Sequence, residues 1–574
     1  MRLNPEARAL YKNIREEIKK RLLLPGSARF LDEFKPTSDP EEILRRQSYL
    51  REGLGRVSTS LAEFIGHVRP VKFRRDYLHD RVLIVDPGEI EEAEKLGLCP
   101  VSTSPEDAEG YTLVLSTVSY GIDVELAPSQ IAPELYVMPL WENRDTLEAL
   151  SAIGELTGIK SVAREILNAL EELEEVMQKR LVLESLEETV AEAERELNEN
   201  VSKKLENFSL TLSGRELVEF LGELREGNYE AIFRHFGKVE DEILGMITRT
   251  EKDLSTRLGV SVELFPREEL FPVRAPPGRI EELREVLERE LAVELYLKSR
   301  EILESIMPLL PKLREELLGV YELDFLLAVK GFTEGFTFPE IDGWGVAFIN
   351  GRHPFIDNPQ PVSYVVGPVP EGFEVPGSEN LRGENVVILT GANSGGKTTL
   401  LELTAYISLL AHMGFPVPAE RAWVGSLDEL FFFRRKRSAY GAGAFETAMR
   451  SFVRALKGSR RKLILIDEFE AITEPGAAVK IIGELLKVAH EKGFNVVIVS
   501  HLGEDLRKEL PFARVDGIEA KGLNEDLNLI VDRQPKFGRI GKSTPELIVE
   551  RLARKKRGKE REIFERVLRA FKEE

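Results

Sequence analysis

The spacing of apolar and polar residues divides the chain into regions with different periodicities. The first ~65 residues have the pattern of amphipathic helices around a turn, in which Ser38 or Asp39 can cap a helix that begins near Pro40. Residues of about 70–140 instead contain short β-branched runs, RVLIVD and YTLVLSTVSYGIDVEL, separated by Pro and Gly. These patterns predict the first part of a helical core over 1–69 and a small mixed α/β insertion over 70–140.

A long stretch without helix breakers follows. Neither Gly nor Pro occurs in residues 159–213, and a second such run, 279–307, repeats Ile and Leu every three or four positions. This spacing predicts two long amphipathic helices that form an antiparallel lever or clamp arm within a helical region, 141–335, with the tip at about 200–278. An ordinary helical bundle is the alternative that the pattern leaves open.

Short apolar runs alternate with helical stretches after about residue 340. The runs are NVVILT (385–390), KLILIDE (462–468) and NVVIVS (495–500). Strands that are apolar on both faces indicate a mostly parallel sheet covered by helices. The chain is therefore predicted to be multidomain, with an α/β domain over 340–545 and a highly charged helical tail over 546–574.

Composition narrows the class of protein. The single cysteine, Cys99, excludes an internal disulfide and a cysteine-based metal site. No apolar stretch approaches the ~18 residues that a membrane span needs, and the charged N-terminus does not resemble a signal peptide. We therefore expect a cytoplasmic protein with no membrane partner. The net charge of −20 argues against extensive nucleic-acid coating but permits a local basic surface.

The segment after the run NVVILT has the spacing of a P-loop. It precedes a helix-like stretch, and its glycines allow backbone N–H groups to approach phosphate oxygens. Lys397 is expected to pair with the β- and γ-phosphates, and the Thr398 hydroxyl to bind Mg²⁺. The predicted ATP-binding residues are Gly391, Ala392, Asn393, Ser394, Gly395, Gly396, Lys397, Thr398 and Thr399.

Two later runs end in residues that suit ATP hydrolysis. Asp467 and Glu468 follow an apolar strand about seventy residues after the P-loop. Asp467 is expected to hold Mg²⁺ with Thr398, and Glu468 to polarise the attacking water as a general base. His501 follows the third run and is predicted to contact the γ-phosphate. A lone strand-end Asp-Glu pair or His is more often structural, but the preceding P-loop favours the catalytic interpretation.

These residues resemble the ATPase domain of the MutS family. The loop GANSGGKTT, the segment Gly351–Pro354 (GRHP), the turn Gly414–Ala419 (GFPVPA), DEFEAITEPG and Ser500-His501 occur in the family's order over about 150 residues. Weaker similarities at Glu322–Phe325 and Pro36–Asp39 resemble the family's helical core. The resemblance implies an ABC-type ATPase that binds ATP and Mg²⁺, forms a homodimer and clamps double-stranded or branched DNA without sequence specificity.

The chain departs from the family pattern at two places. The loop that reaches the partner's γ-phosphate in the family would fall at Gly443, Ala444 and Phe445, where Gly443 replaces the family serine. Ser438 is an alternative source of the hydroxyl. The helical core also begins too early to leave room for the mismatch-recognition domain, and no C-terminal nuclease domain follows. This implies the branch of the family that lacks mismatch reading, with a role in recombination or repair.

Candidate DNA contacts are less specific. Lys203 and Lys204 lie near the predicted arm tip, and three further basic clusters are Arg434–Arg437, Arg460–Lys462 and Arg554–Arg557. A solvated charged face explains each cluster equally well. Two alternatives for the whole protein are a non-catalytic ATP-binding DNA scaffold and a true mismatch-recognition protein. A third is a chromosome-organising or recombination ATPase with a coiled-coil arm. Those ATPases typically place the P-loop before the arm, whereas the predicted arm precedes the P-loop here, which favours the MutS resemblance.

Overall fold

The structure is a computed structural model that describes residues 1–207, 213–227, 230–268, 270–391, 395–434, 442–458, 460–468, 475–523, 529–541 and 545–570. Among these residues, no helix combines the length and apolar character needed to cross a membrane. The α-helices are α1 Pro5–Lys19, α2 Pro40–Arg56, α3 Leu61–Ile65, α4 Ile90–Leu96, α5 Pro128–Ile131, α6 Glu134–Glu142, α7 Arg144–Thr157, α8 Ala163–Leu170, α9 Glu174–Glu184, α10 Leu186–Glu206, α11 Gly214–Arg225, α12 Glu230–Leu258, α13 Pro277–Ile306, α14 Leu310–Phe332, α15 Lys397–Met413, α16 Ala442–Ala455, α17 Pro475–Glu491, α18 Gly503–Glu509, α19 Pro545–Lys555 and α20 Lys559–Ala570.

The strands form three sheets. They are β1 Arg2–Leu3, β2 Arg81–Ile84, β3 Val101–Ser102, β4 Leu113–Ser116, β5 Ile122–Asp123, β6 Glu340–Ile341, β7 Val346–Gly351, β8 Val362–Val366, β9 Val386–Gly391, β10 Arg421–Val424, β11 Glu429–Phe433, β12 Lys462–Asp467, β13 Asn495–Val499, β14 Arg514–Leu523 and β15 Leu529–Lys536. The chain divides into two compact units. The first unit comprises 1–66 and 318–574, and the second comprises 67–317.

A seven-stranded sheet forms the centre of the first unit. Its order is β1-β11-β12-β13-β9-β14-β15, and every neighbouring pair is parallel except β14 with β15. The strands β9, β12 and β13 are the three apolar runs of the sequence. Alternate residues, such as Ile388, Ile464 and Ile498, pack against α16, α17 and α18 on one face. Every residue of β9 and β13 is buried, so these strands are covered on both faces of the sheet. Burial on both faces explains why they are continuously apolar.

The first strand of this sheet comes from the N-terminus. Arg2 and Leu3 pair in parallel with Glu429 and Leu430 of β11. Asn4 then accepts a hydrogen bond from the Ala7 N–H at 3.0 Å and so caps α1. Sequence analysis predicts only helices in this region, because a two-residue strand leaves no periodicity to detect.

A smaller mixed sheet, β6-β10-β7-β8, packs within the same unit. It brings together two of the family-like motifs, since the Arg352 N–H donates to the Pro418 carbonyl at 2.8 Å. Asp39 caps α2 by accepting from the Glu41 N–H at 3.1 Å, as the Ser38–Pro40 pattern predicts. Asp324 is buried in α14 and accepts from the N–H groups of Leu23 and Leu24.

The second unit contains the predicted insertion and the part of the predicted helical region up to residue 317. The strands of the insertion form a parallel sheet, β3-β2-β4-β5. The run 159–213 is not one long helix, because the described part divides into α8, a 3-10 turn, α9 and α10. Ser185 separates α9 from α10 with a non-helical backbone (φ −97°, ψ 9°). The predicted tip itself contains the 29-residue helix α12, which packs against α10 through an apolar core.

Candidate functional site

The phosphate loop begins where the buried strand β9 ends. Gly391 has φ +121°, and a Cβ there would lie 2.0 Å from the Ile518 carbonyl oxygen, so only glycine fits. Gly396 has φ +88° and begins α15. The buried Lys397 donates from Nζ to the Gly391 carbonyl at 2.7 Å, across the mouth of the loop. Ala392, Asn393 and Ser394 lie outside the described residues.

Asp467 lies directly against the first turn of α15. The Thr398 hydroxyl donates to the two carboxylate oxygens of Asp467 at 3.1 and 3.0 Å. Burial raises the pKa of Asp467 above its ordinary value, and the neighbouring Glu468 adds to this increase, whereas the hydrogen bond from Thr398 opposes it. A hydroxyl and a carboxylate at this position are oxygen ligands of the kind that Mg²⁺ prefers.

Glu468 leaves β12 in a conformation that is uncommon for a non-glycine residue. Its φ is +48°, and its N–H donates to the Val499 carbonyl at 3.2 Å. The turn brings Oε1 of Glu468 to 3.3 Å from Nε2 of His501. Because backbone strain of this kind concentrates at functional sites, the pair is a candidate for catalysis.

Sheet topology explains why these groups meet. In the order β12-β13-β9, all three strands are parallel, so their carboxyl ends lie at one edge. Asp467 pairs with Val499, which precedes Ser500 and His501, and the Ser500 N–H donates to the Leu389 carbonyl at 3.1 Å. Ligands of open α/β sheets bind outside this edge.

A second contact with the phosphate strand comes from a distant segment. The Gly541 N–H donates to the Thr390 hydroxyl at 2.7 Å, and that hydroxyl donates to the Asp516 carbonyl at 3.0 Å. A Cβ on Gly541 would meet the Gly391 Cα at 2.9 Å. Sequence analysis did not identify this packing. The one signal in the sequence is the glycine pair of GRIG, residues 538–541.

The GRHP motif contributes a buried histidine beside α15. Nε2 of His353 lies 3.2 Å from Oε2 of Glu402, and Glu402 also pairs with Arg434. Burial lowers the pKa of His353 to about 4, and Arg434 acts in the same direction. Arg434 is thus held by an ion pair within the first unit, and the other residues of its basic cluster, 435–437, lie outside the described residues.

The remaining predicted site residues are placed as follows. Gly443, Ala444 and Phe445 lie in the first turn of α16, although their side chains are outside the description, as is Ser438. Gly395 is buried, and Thr399 lies in the first turn of α15 beside Thr398.

The other basic clusters are largely engaged in structure. Lys462 is buried at the start of β12, where it pairs with Glu429 at 2.9 Å. Lys204 forms an ion pair with Glu242, while Lys203 is exposed. The helix that carries both lysines, α10, has three cations and seven carboxylates. An acidic helix is a poor surface for a polyanion, so the structure does not favour DNA contact at Lys203 and Lys204.

Comparison with known proteins agrees with this arrangement. A family model described as MutS domain V matches residues 387–505, which span the phosphate loop, Asp467, Glu468 and His501. The chain is 59% identical over 572 residues, covering 100% of both chains, to "DNA-binding protein MutS2" of Pyrococcus furiosus. This chain belongs to the MutS2 branch of the MutS family.

A more distant MutS-family relative matches only part of the chain. "DNA mismatch repair protein MutS" of an Anaeromyxobacter species is 30% identical over 243 residues, or 40% of this chain and 27% of the relative. The full-length similarity to a MutS2 protein confirms the expected branch of the family, the one that lacks the N-terminal mismatch-recognition domain.

Proposed function

We propose that this protein hydrolyses ATP to ADP and phosphate and couples its nucleotide state to DNA binding as a homodimer. The observation that carries the proposal is the convergence of Lys397, Asp467 and the Glu468–His501 pair at one edge of a parallel sheet. The similarity to a protein named for DNA binding supports the second part of the proposal. We expect a role in recombination or repair that does not include mismatch reading.

Each residue of the site has a distinct task in this reaction. Lys397 and the N–H groups at the start of α15 bind the phosphates of ATP, since a helix N-terminus favours anions. Thr398 and Asp467 hold Mg²⁺, and their oxygen donors fit that ion. When bound, the ion neutralises negative charge that develops on the phosphate oxygens.

Glu468 and His501 supply the acid–base part of the site. Glu468 polarises the attacking water and takes up its proton, for which a carboxylate that is 15% exposed is well placed. His501 fixes the orientation of Glu468 through their 3.3 Å contact and contacts the γ-phosphate. A protein that used ATP only as a structural ligand would not need this pair.

The homodimer follows from the family's composite site. Gly443 replaces a serine there, but the first N–H groups of α16 lack intrahelical partners and can bind an anion across the dimer. The trans contact therefore depends on backbone N–H groups in this chain.

Steady-state phosphate release tests the ATPase proposal. We expect Glu468→Gln to lower kcat by at least ~100-fold while a labelled ATP analogue still binds, because only transition-state stabilisation is lost. Glu504→Gln, an exposed carboxylate at the start of α18, is the matched control and should keep the wild-type rate. Equal rates for wild type and Glu468→Gln would favour the non-catalytic scaffold.

Mobility shifts at several salt concentrations test the DNA proposal. Perfect duplex, single-mismatch duplex and four-way junction should be compared with and without ATP. We expect similar affinity for matched and mismatched duplex with a steep salt dependence, as in backbone-driven binding. A tenfold or greater preference for the mismatch would identify a mismatch reader instead.

A further inference from the structure

A segment of the second unit has a charge opposite to that of the chain. Residues 69–79, here called the basic segment, contain the cations Arg69, Lys72, Arg74 and Arg75 but one carboxylate, Asp76, in a protein of net charge −20. All five side chains are exposed. The segment runs between α3 and β2 outside any helix or strand.

Two aromatic rings alternate with these cations. Phe73 and Tyr77 are 46% and 47% exposed. The ring of Phe73 lies 5.8 Å from that of Tyr136, and the ring of Tyr77 lies 4.9 Å from that of His79. Each ring is therefore supported by a neighbour and still presents area to solvent.

The ends of the basic segment are fixed to the second unit. The Arg69 N–H donates to the Thr146 hydroxyl at 3.0 Å, and the Leu78 N–H donates to the Leu98 carbonyl at 2.7 Å. In the middle, Arg74 donates to both carboxylate oxygens of Glu142. A segment that is already ordered loses little entropy on binding, so its charges are prearranged for a ligand.

Two cations of the basic segment, Lys72 and Arg75, differ from those on α13. Arg284 pairs with Glu187 at 2.9 Å and Lys298 with Glu301 at 2.9 Å, as is usual on an acidic helical surface. Lys72 and Arg75 have no carboxylate within ion-pair distance among the residues that the structure describes. Their positive charge remains available to a polyanion.

We propose that the basic segment binds single-stranded nucleic acid, with Lys72 and Arg75 at the phosphates and Phe73 and Tyr77 stacked on bases. Cations interleaved with exposed rings are the combination that binds single strands irrespective of sequence. A duplex offers phosphates but keeps its base faces stacked, so it would leave both rings without a partner. The inference rests on the proposed DNA-binding function and assigns it a surface.

Fluorescence anisotropy with the full-length protein tests this assignment. A labelled oligothymidylate of about 20 nucleotides is compared with a duplex of similar length over a range of salt concentrations. We expect Lys72→Ala/Arg75→Ala to weaken single-strand binding about tenfold and to reduce the slope of log affinity against log salt by about 1.4, or about 0.7 per lost phosphate contact. Phe73→Ala/Tyr77→Ala should weaken single-strand binding about 30-fold or more with no change in slope and should leave duplex affinity unchanged.

Lys160→Ala/Arg180→Ala is the matched control. It removes an exposed and a half-buried cation of the same unit that pair with Glu165 and Glu184, and it should bind like wild type. Melting temperatures confirm that each variant is folded. Single-strand affinities of both test variants within twofold of wild type would overturn the inference and leave the DNA-binding proposal intact. If the wild type bound neither the single strand nor the duplex, the DNA-binding proposal itself would be overturned.

Two further outcomes would also overturn the assignment. Equal losses of single-strand and duplex affinity in the ring variant would show a general backbone contact. A loss of binding to phosphatidylserine vesicles, with unchanged oligonucleotide binding, would show a contact with anionic membranes.

Discussion

The hydroxyl of Thr398 lies 3.1 and 3.0 Å from the two carboxylate oxygens of Asp467 and donates to them. Thr398 is in the first turn of α15, which follows β9, and Asp467 ends β12, two strands across the sheet. This contact therefore joins the phosphate loop to the strand that precedes Glu468, the proposed general base. Burial raises the pKa of Asp467, so its ionised form is costly until a cation neutralises it.

Asp467→Asn should raise the stability of the nucleotide-free protein and lower its ATPase activity. A carboxylate whose folded-state pKa is raised destabilises the native state at neutral pH, so its removal should raise the melting temperature of the nucleotide-free protein. Phosphate release should fall at least ~100-fold, about 2.7 kcal/mol, because the cation ligand is lost. Asp253→Asn, at an exposed position of α12, is the control. A melting temperature that falls in Asp467→Asn would contradict the electrostatic account.

Gly541→Val should displace the phosphate loop, because Gly541 packs against Gly391 at the start of that loop. The new Cβ would lie 2.9 Å from the Gly391 Cα and 2.9 Å from the Ile518 nitrogen, which are backbone atoms that cannot rotate away. We expect ATP affinity to fall about tenfold or more, since a displacement of the loop misplaces its N–H groups. Equilibrium binding of a fluorescent ATP analogue measures this effect.

Gly483→Ala is the control for that substitution. Gly483 lies inside α17, where an added Cβ meets nothing within 4 Å, and alanine favours the helix by up to ~1 kcal/mol. It should bind the analogue normally and melt slightly higher. If Gly541→Val also bound the analogue normally, the contact between Gly541 and Gly391 would have no influence on the phosphate loop.

His412 should make the first unit sensitive to acid. Its Nδ1–H donates to the Ser408 carbonyl at 2.7 Å, and Nε2 accepts from the Leu427 N–H at 2.8 Å, so both nitrogens are used by the neutral ring. Burial lowers the pKa of His412 to about 4. Since the folded-state pKa lies below the unfolded value of about 6.5, stability is complete above pH ~6.5 and is lost as pH falls toward ~4.

The expected loss from His412 is about 2 kcal/mol by pH ~5. Urea midpoints of wild type and His412→Gln at pH ~7.5 and ~5 measure it. The variant should be less stable at the higher pH but should lose less on acidification, although His353, whose pKa is also about 4, retains part of the effect. His79→Gln, an exposed histidine, should behave like wild type. Parallel losses in wild type and His412→Gln would exclude His412 as the cause.

The parts of the fold that could be predicted are those with a local signal. The strands β9, β12 and β13 are continuously apolar, and parallel pairing forces their carboxyl ends to one edge. The meeting of Lys397, Asp467 and His501 follows from that topology once the P-loop is located. The strand order alone is enough to predict that these three residues lie at one edge.

The missed features depend on partners that are distant in sequence. Gly541 contacts Thr390 across 151 positions, and nothing in its own surroundings indicates that contact. The division between α9 and α10 occurs at Ser185 without Gly or Pro, so the sequence carries no helix-breaking signal there. The basic segment does not have the run of consecutive cations that marks the other clusters, because its charges are interleaved with aromatic rings.

Asn4 links the N-terminus to the seven-stranded sheet. Its amide donates to the Phe432 carbonyl at 2.8 Å, while its Oδ1 accepts from the Phe432 N–H at 3.1 Å and caps α1. Asn4→Ala should cost about 1–2 kcal/mol, since a cap and two edge-strand hydrogen bonds are lost together. Hydrogen exchange should accelerate in β11, which leads to Arg434, but not in β13 at the centre of the sheet. Asn200→Ala, an exposed position in α10, should change neither quantity. Unchanged exchange in β11 would mean that pairing with β1 does not stabilise β11, and that the backbone leading to the proposed nucleotide site is ordered independently of the N-terminus.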